Sequence, residues 1–156
     1  YSNGSEKSLK STRNNKLDGD QSLWYENGKI KSNGNYTQGL EDGDFEEWYE
    51  NGQLTSKQTF VQGALSGESN TWYENGNKKG QGHYKNKAPI GKHVLWHSNG
   101  NKRSVMHFIN GRPHGLRTEW YDNGQKKEEG NFINGKQQGR WTYYNKDGTL
   151  DGTEDY

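Results

Sequence analysis

The chain has no cysteine among its 156 residues, and this absence excludes disulfides and thiol chemistry. Leu, Ile, Val and Phe together number only 20, which is too few for an ordinary globular core. No apolar run approaches the roughly 18 residues that a membrane-spanning helix needs. A low aliphatic content predicts disorder only together with a high net charge, and the net charge here is +1. The chain is therefore expected to fold around contacts other than aliphatic ones.

Several functional classes have no support in the sequence. Lys and Arg number 21 against 20 Asp and Glu, so no nucleic-acid partner is expected. No phosphate-cradling loop occurs, and no carboxylate pair recurs with a fixed His or Ser, so we predict no catalytic residue, no cofactor and no enzyme activity. His93 and His97 are four residues apart on a predicted strand, and we expect no metal site there. Because the chain opens on Tyr1 rather than Met, we expect a mature or excised piece of a longer protein.

What the sequence has in abundance is glycine, tyrosine and tryptophan, with 22, 10 and 6 residues. A Trp-Tyr-x-Asn-Gly motif recurs in phase every 24 residues, which is the signature of a repeat architecture. The tryptophan position holds Trp24, Trp48, Trp72, Trp96 and Trp120. The glycine position holds Gly28, Gly52, Gly76, Gly100, Gly124 and Gly148, with Gly4 in a truncated first copy. These positions define the structural repeat.

Each unit is predicted to be a β-hairpin. In the first complete unit, one strand is expected from Asp20 to Tyr25 and its partner from Lys29 to Tyr36, with residues 37–43 leading to the next unit. An Asn-Gly pair between such runs is the strongest short hairpin signal, and no segment has helical spacing of adequate length. We expect one repeat domain over 1–156, with a degenerate unit at 1–19, complete units at about 20–43, 44–67, 68–91, 92–115 and 116–139, and a degenerate unit at 140–156.

The predicted fold class is all-β: an elongated, single-layer antiparallel β-hairpin repeat, with one hairpin per 24 residues, in a solenoid-like twisted meander. Equivalent residues of successive units should lie two strands, or roughly 9.6 Å, apart. The tryptophans then form an aromatic ladder along the sheet. This ladder has two interpretations: the core of a thin sheet, which we favour, or a stacking platform for sugars or a partner.

The pairing register decides which side chains share a face. A two-residue Asn-Gly loop would pair Trp24 with Lys31, whereas a three-residue loop with a left-handed Gly28 would pair Trp24 with Ile30. We favour the second register. One face is then expected to hold Trp24, Ile30, Gly34 and Tyr36. The other face is expected to hold Leu23, Tyr25, Lys29 and Lys31, and in later units Glu47 opposite Thr55 and Glu119 opposite Lys127.

Two sets of equivalent residues are candidates for binding a partner. The first is the tyrosine after each repeat tryptophan, whose alternative role is cross-strand packing: Tyr25, Tyr49, Tyr73 and Tyr121. The second is a basic stripe that could meet an acidic partner or anionic lipid: Lys31, Lys79, Arg103 and Lys127. Thr55 and Asp151 interrupt this stripe, and its alternative interpretation is a solvated face balanced by nearby glutamates.

The unit W-Y-x-N-G, followed by an aromatic residue and by x-x-G-x-x-x-G, resembles the MORN-repeat variant from Gly4 to Tyr156. Departures are His97 in place of the tyrosine and Lys87 in place of a glycine. The resemblance implies a β-hairpin scaffold for protein or surface contacts. Bacterial members are often described as antitoxin- or immunity-like, and many are exported. It therefore predicts a toxin or a surface-complex component as the partner, and a periplasmic, lipoprotein-like or cell-surface location.

Two other functions stay open at this point. The stretch Gly139–Gly148 is similar to choline- and glucan-binding repeats, which suggests a carbohydrate-binding surface module using the Trp and Tyr ladder. A module contacting anionic membranes is the other alternative, and it requires the basic stripe to form one uninterrupted face. The partner classes that follow are another protein first, a glycan second and a membrane third.

Overall fold

The computed structural model describes residues 7–156, and the first motif copy at Tyr1–Gly4 lies outside them. Within the described range every regular element is a strand, and no helix there is long and apolar enough to cross a membrane. The first eight strands are β1 (Lys7–Arg13), β2 (Lys16–Trp24), β3 (Ile30–Thr37), β4 (Leu40–Glu41), β5 (Gly43–Trp48), β6 (Leu54–Val61), β7 (Ala64–Trp72) and β8 (Lys78–Lys85). The others are β9 (Ala88–Trp96), β10 (Lys102–Ile109), β11 (Arg112–Pro113), β12 (Gly115–Trp120), β13 (Lys126–Ile133), β14 (Lys136–Tyr144) and β15 (Leu150–Asp155).

The chain divides into two compact units. The first extends to Gly76 and includes Tyr84–Lys87, and the second holds Asn77–His83 and Ala88–Tyr156. The strand order in the first is β1-β2-β3-β5-β6-β7, with β4 beside β3. In the second it is β9-β10-β12-β13-β14-β15, with β11 beside β10. Because neighbours in sequence are antiparallel neighbours in space, the predicted all-β, single-layer hairpin repeat is confirmed.

The Asn-Gly hairpin has the favoured three-residue register. Trp24 pairs with Ile30, and Gly28 has a φ of 82°. The amide of Tyr25 donates to the Lys29 carbonyl at 2.8 Å, and the amide of Gly28 donates to the Tyr25 carbonyl at 2.9 Å. This positive φ carries little cost in glycine because it has no Cβ, which explains a glycine at that position in every unit.

The predicted distribution of side chains between the two faces is wrong for the return strand after Ile30. Leu23 pairs with Ser32, so Lys31 is an extra residue in a β-bulge. A shift of one residue moves every following side chain to the opposite face. Gly34 consequently pairs with Gln21, and Gly34 and Tyr36 lie on the opposite face from Trp24.

The same bulge corrects two predicted cross-strand pairs. Glu47 pairs with Ser56 rather than with Thr55. Glu119 pairs with Glu128 rather than with Lys127, although Lys127 Nζ remains 3.8 Å from a Glu119 carboxylate oxygen. We call the face with Gln21, Leu23, Gly34, Tyr36 and their equivalents the ring face. The opposite face, with Trp24, Ile30 and their equivalents, is the tryptophan face.

The connection expected over residues 37–43 is a two-residue turn. Gln38 and Gly39 have φ values of 53° and 87°, the pair of positive angles that matches the twist of a hairpin. The next strand segment therefore begins at Leu40. Lys87 occupies the glycine position of the equivalent turn in a later unit, and its φ is 68°.

The most buried ring belongs to Trp141, which is only 1% exposed and lies outside the repeat's tryptophan position. On the ring face its indole packs against Gly130, where any added Cβ would collide with it. Phe132 and Tyr156 flank it, with centroid distances of 5.1 and 6.1 Å. The repeat tryptophans, in contrast, are each half-buried.

The same arrangement occurs in the first of the two compact units. Phe45 packs against Gly34 and lies between Tyr36 and Phe60, at centroid distances of 5.3 and 5.2 Å. Rings occur at this position every 48 residues, at 45, 93 and 141, and the glycines beneath them at 34, 82 and 130. The ring packing therefore repeats every second hairpin.

Candidate functional site

The motif tyrosines connect each hairpin to the next. The hydroxyl of Tyr25 donates to the Trp48 carbonyl at 2.6 Å, and that of Tyr49 donates to the Trp72 carbonyl at 3.1 Å. Tyr121 makes the same bond to the carbonyl of Tyr144 at 2.9 Å. Three of the four tyrosines predicted to bind a partner therefore use their hydroxyls inside the scaffold, and Tyr73 occupies the same position of its own unit.

His97 occupies the motif tyrosine position and makes the same hydrogen bond to the next hairpin. Its Nε2 lies 2.9 Å from the Trp120 carbonyl, where a tyrosine hydroxyl would donate in another unit. Because a carbonyl oxygen only accepts, Nε2 carries the proton. The departure from the motif at His97 thus preserves the contact between successive hairpins.

The motif asparagines form a second ladder at the turns. The Oδ1 of Asn27 accepts from the Lys29 amide at 3.0 Å, and its Nδ2 donates to the Glu50 carbonyl at 3.2 Å. Asn123 repeats the second bond to the Lys146 carbonyl at 2.7 Å. The motif tyrosines and asparagines thus supply bonds inside the scaffold, and the candidate binding residues are to be sought at the other positions of the repeat.

Lys31, Arg103 and Lys127 occupy the bulge position of their hairpins, and Lys79 is the equivalent residue of its own repeat. Lys31 is half-buried, with Nζ 5.7 Å from the centre of the Tyr25 ring. Lys79, Arg103 and Lys127 are exposed. Among residues 7–156 no ion pair of Arg103 is found, which leaves its guanidinium available to an anionic group.

Arg103 and Lys127 line one open pocket in the second unit, with a volume of about 390 Å³. Its other lining residues are His97, Glu119, Trp120, Tyr121, Asp122 and Lys146. Both carboxylates are already paired: Glu119 with Arg117 and Lys127, and Asp122 with Lys146 at 2.8 Å. The hydrogen bond from Lys146 holds the pKa of Asp122 below its usual value. The pocket therefore favours an anionic group. We call it the basic pocket.

The first unit has a different surface, a groove of about 480 Å³ on the ring face. Its apolar wall includes Leu9, Leu17, Leu23, Tyr36, Phe45 and Phe60, and its polar wall includes Lys10, Gln21, Ser32, Glu41, Glu47, Ser56 and Gln58. Burial, and then the charge of Glu41, raise the pKa of Tyr36. Because Glu41 and Glu47 outnumber Lys10 among its lining residues, the groove has an acidic character. We call it the acidic groove.

This opposition of charge is visible in the sequence, but the whole-chain sum conceals it. Residues 1–76 contain 7 Lys and Arg against 12 Asp and Glu, a net charge of −5. Residues 77–156 contain 14 against 8, a net charge of +6. The charge of each segment, rather than of the whole chain, is therefore the sequence signal that distinguishes an acidic part from a basic part.

His93 has a packing role in the second unit. Among residues 7–156 there is no group of three or more His, Asp or Glu side chains arranged to hold a metal ion. His93 lies against Gly82, its ring centroid is 4.8 Å from that of Phe108, and its Nε2 donates to the His83 carbonyl at 3.0 Å. Burial is the largest cause that lowers the pKa of His93. His93 therefore takes the packing position that Phe45 holds in the first unit.

Antiparallel hairpins of 24 residues, tied together by tyrosine and asparagine ladders, define a β-hairpin repeat protein. The family model described as MORN repeat variant matches residues 17–38, 41–62, 65–86 and 113–134, more than half of the chain. The chain belongs to the MORN repeat variant family. No curated protein matches it.

Proposed function

We propose that this chain is a non-catalytic scaffold that binds another protein. The observation that carries the proposal is that different positions of the repeat make the internal hydrogen bonds and supply the charged surfaces. The motif tyrosines and asparagines make hydrogen bonds inside the repeat, whereas the charged residues of the two surfaces stand at other positions: Glu41 and Glu47 in the acidic groove, and Arg103 and Lys127 in the basic pocket. An acidic and a basic surface give a scaffold specificity for a partner whose charges are complementary to them.

We also propose that the bound protein is a toxin that the chain neutralises or a component of a cell-surface complex, in an exported location. The resemblance to bacterial members of the family supports this finer assignment. The absence of cysteine is compatible with export. A single acidic partner surface would satisfy Arg103 and Lys127 together, because both side chains line one pocket.

Crosslinking of the chain in its native cells, followed by mass spectrometry, tests this proposal. Reversing the charge of the basic pocket with Arg103→Glu and Lys127→Glu should reduce recovery of a specific protein at least tenfold. Lys92→Glu and Lys136→Glu make the same charge change at exposed positions of the second unit outside the pocket, and should reduce it less than threefold. Equal losses from the two pairs, or no crosslinked protein, would contradict a scaffold that binds through this pocket.

The two alternative functions have less support. Sugar stacking needs open ring faces, but the repeat tryptophans are half-buried, and lysine ammonium groups lie 5.4 Å from the Trp24 ring centre and 5.7 Å from that of Trp96. Membrane contact through the basic stripe needs a continuous face, but Thr55 and Asp151 interrupt the series. Binding to a glycan array, or to phosphatidylserine vesicles, without any protein partner would favour these alternatives over the scaffold.

A further inference from the structure

The acidic groove of the first unit has an aromatic wall. Phe45 is held between Tyr36 and Phe60 in edge-to-face contacts, with interplanar angles of 84° and 72°. Because Gly34 has no side chain, the Phe45 ring lies directly on the backbone beneath it. Such a wall offers apolar contact to the methylene stem of a long side chain.

Gln21 supplies the groove with an unused hydrogen-bond acceptor. The residue is 9% exposed, and its Nε2 donates to the Ser11 carbonyl at 2.9 Å and, more weakly, to the Gly19 carbonyl at 3.4 Å. Both partners only accept, so the amide orientation is determined and Oε1 is the remaining atom. Among the described residues Oε1 is buried without a partner. A buried acceptor of this kind is costly unless an occupant donates to it.

The ionisable residues of the groove add a second requirement. Glu41 and Glu47 outnumber Lys10, so the lining carries a net negative charge at neutral pH. The Glu47 carboxylate accepts from the Ser56 hydroxyl at 3.0 Å, and a carboxylate has capacity for further donors. The occupant should therefore be a cation that donates hydrogen bonds and has an apolar stem.

We propose that the acidic groove receives an arginine side chain from the protein partner. Arginine meets these requirements because its stem packs on apolar surface, its guanidinium stacks on aromatic rings, and its five N–H donors pair with carboxylates. This inference rests on the proposed scaffold function and names the chemistry that the first unit recognises. The basic pocket of the second unit, in contrast, is suited to an anionic group of the partner.

Titration with two short peptides tests the proposal on the full chain. The probe is acetyl-Gly-Arg-Gly-Arg-Gly-amide, and its control has citrulline, the neutral isostere, in place of arginine. Binding is followed by ¹H–¹⁵N spectra. The arginine peptide should shift the Gln21 side-chain amide and the backbone amides of Leu23 and Phe45. The citrulline peptide should bind at least fivefold more weakly.

Two substitutions distinguish binding in the groove from general electrostatic attraction to the acidic segment 1–76. Glu47→Gln keeps an acceptor for Ser56 while removing the charge, and should weaken binding at least fivefold. Glu50→Gln removes the same charge from an exposed turn outside the groove, and should weaken it less than twofold. Equal effects of the two variants, equal binding of the citrulline peptide, shifts spread over the whole surface or no binding would each overturn the proposal.

The two proposals can fail separately. If charge reversal in the basic pocket abolishes protein crosslinking while the arginine peptide does not bind, the scaffold stands and the arginine site is wrong. If the arginine peptide binds as described but no protein is crosslinked, the groove recognises arginine and the scaffold function is wrong.

Discussion

The indole of Trp141 packs against the backbone of Gly130 on the neighbouring strand, in the space that any side chain at position 130 would occupy. The two residues are eleven positions apart and lie on β14 and β13. Trp141 is almost completely buried by this contact and by its flanking rings. Gly130 is therefore required for space, in contrast to the motif glycines at positive φ, which are required for their backbone conformation.

Gly130→Ala should lower the free energy of unfolding by about 2 kcal/mol, because the new methyl group collides with a buried ring that has little room to move. Urea denaturation followed by tryptophan fluorescence measures the change. Gly152→Ala is the matched control, since nothing lies within 4 Å of a Cβ built there. It should change stability by no more than about 0.5 kcal/mol. Equal effects of the two variants would show that the collision with the Trp141 indole does not lower the free energy of unfolding.

Lys87→Gly should stabilise the protein by about 1 kcal/mol. The lysine has a φ of 68°, and a residue with a Cβ pays roughly 1–2 kcal/mol in this region, which glycine avoids. The hydrogen bond that the backbone N–H of residue 87 donates to the Leu65 carbonyl is retained in the variant. Lys87→Ala removes the same charge but keeps a Cβ, so it should bring no comparable gain. Thermal and urea unfolding of the three proteins distinguish relief of backbone strain from loss of the charge.

Tyr25→Phe should cost about 1 kcal/mol, because it leaves the Trp48 carbonyl without its hydroxyl donor while keeping the ring. The control is Tyr143→Phe, whose hydroxyl makes longer, exposed contacts of 3.5 Å to Glu154 and 3.3 Å to Tyr156. That variant should lose less stability in the same denaturation experiment. If Tyr25→Phe leaves the free energy of unfolding unchanged, the hydroxyls of the motif tyrosines do not stabilise the contact between successive hairpins.

The stability contributed by His93 should depend on pH. Burial lowers the pKa of His93 below its usual value of about 6.5, and the charge of His83 acts in the same direction. The unfolded chain therefore takes up the proton first as the pH falls. The contribution is fully present above about pH 6.5 and is lost as the pH falls toward the pKa of the folded state.

His93→Phe places at this position the ring that the first unit has in Phe45, and it removes the titrating group. The unfolding free energy of the natural chain relative to this variant should fall between about pH 8 and about pH 5. Equilibrium urea unfolding at several pH values measures that difference, in which the other four histidines cancel. A difference that does not vary with pH would contradict an imidazole whose half-buried position favours the neutral form.

The hairpins could be predicted because their signals are local. Asn27 and Gly28 form a turn through bonds among residues 25–29, and the same chemistry recurs in every unit. The distribution of side chains between the faces could not be predicted in this way. It depends on the single extra residue at Lys31, and the alternation of a strand reverses when one residue is inserted.

The candidate surfaces were only partly predictable from the sequence. Arg103 and Lys127 were found because equivalent positions repeat, and both line the basic pocket. The sequence did not reveal the acidic groove, since Gln21, Glu41 and Glu47 occupy positions whose residue type varies from one repeat to the next. Gln21 and Glu47 have no common motif, and only the pairing of β2, β3 and β5 brings them to one surface.

The sequence alone determined the 24-residue period and the hairpin, and it favoured the register at Trp24 and Ile30, because these depend on contacts within a few residues of each turn. Tertiary structure decided the faces, the ring packing and the binding surfaces. The contact between Gly130 and Trp141 illustrates the difference: a glycine and a ring eleven residues apart become a core pair only when the bulged register of β13 and β14 places them on the same face.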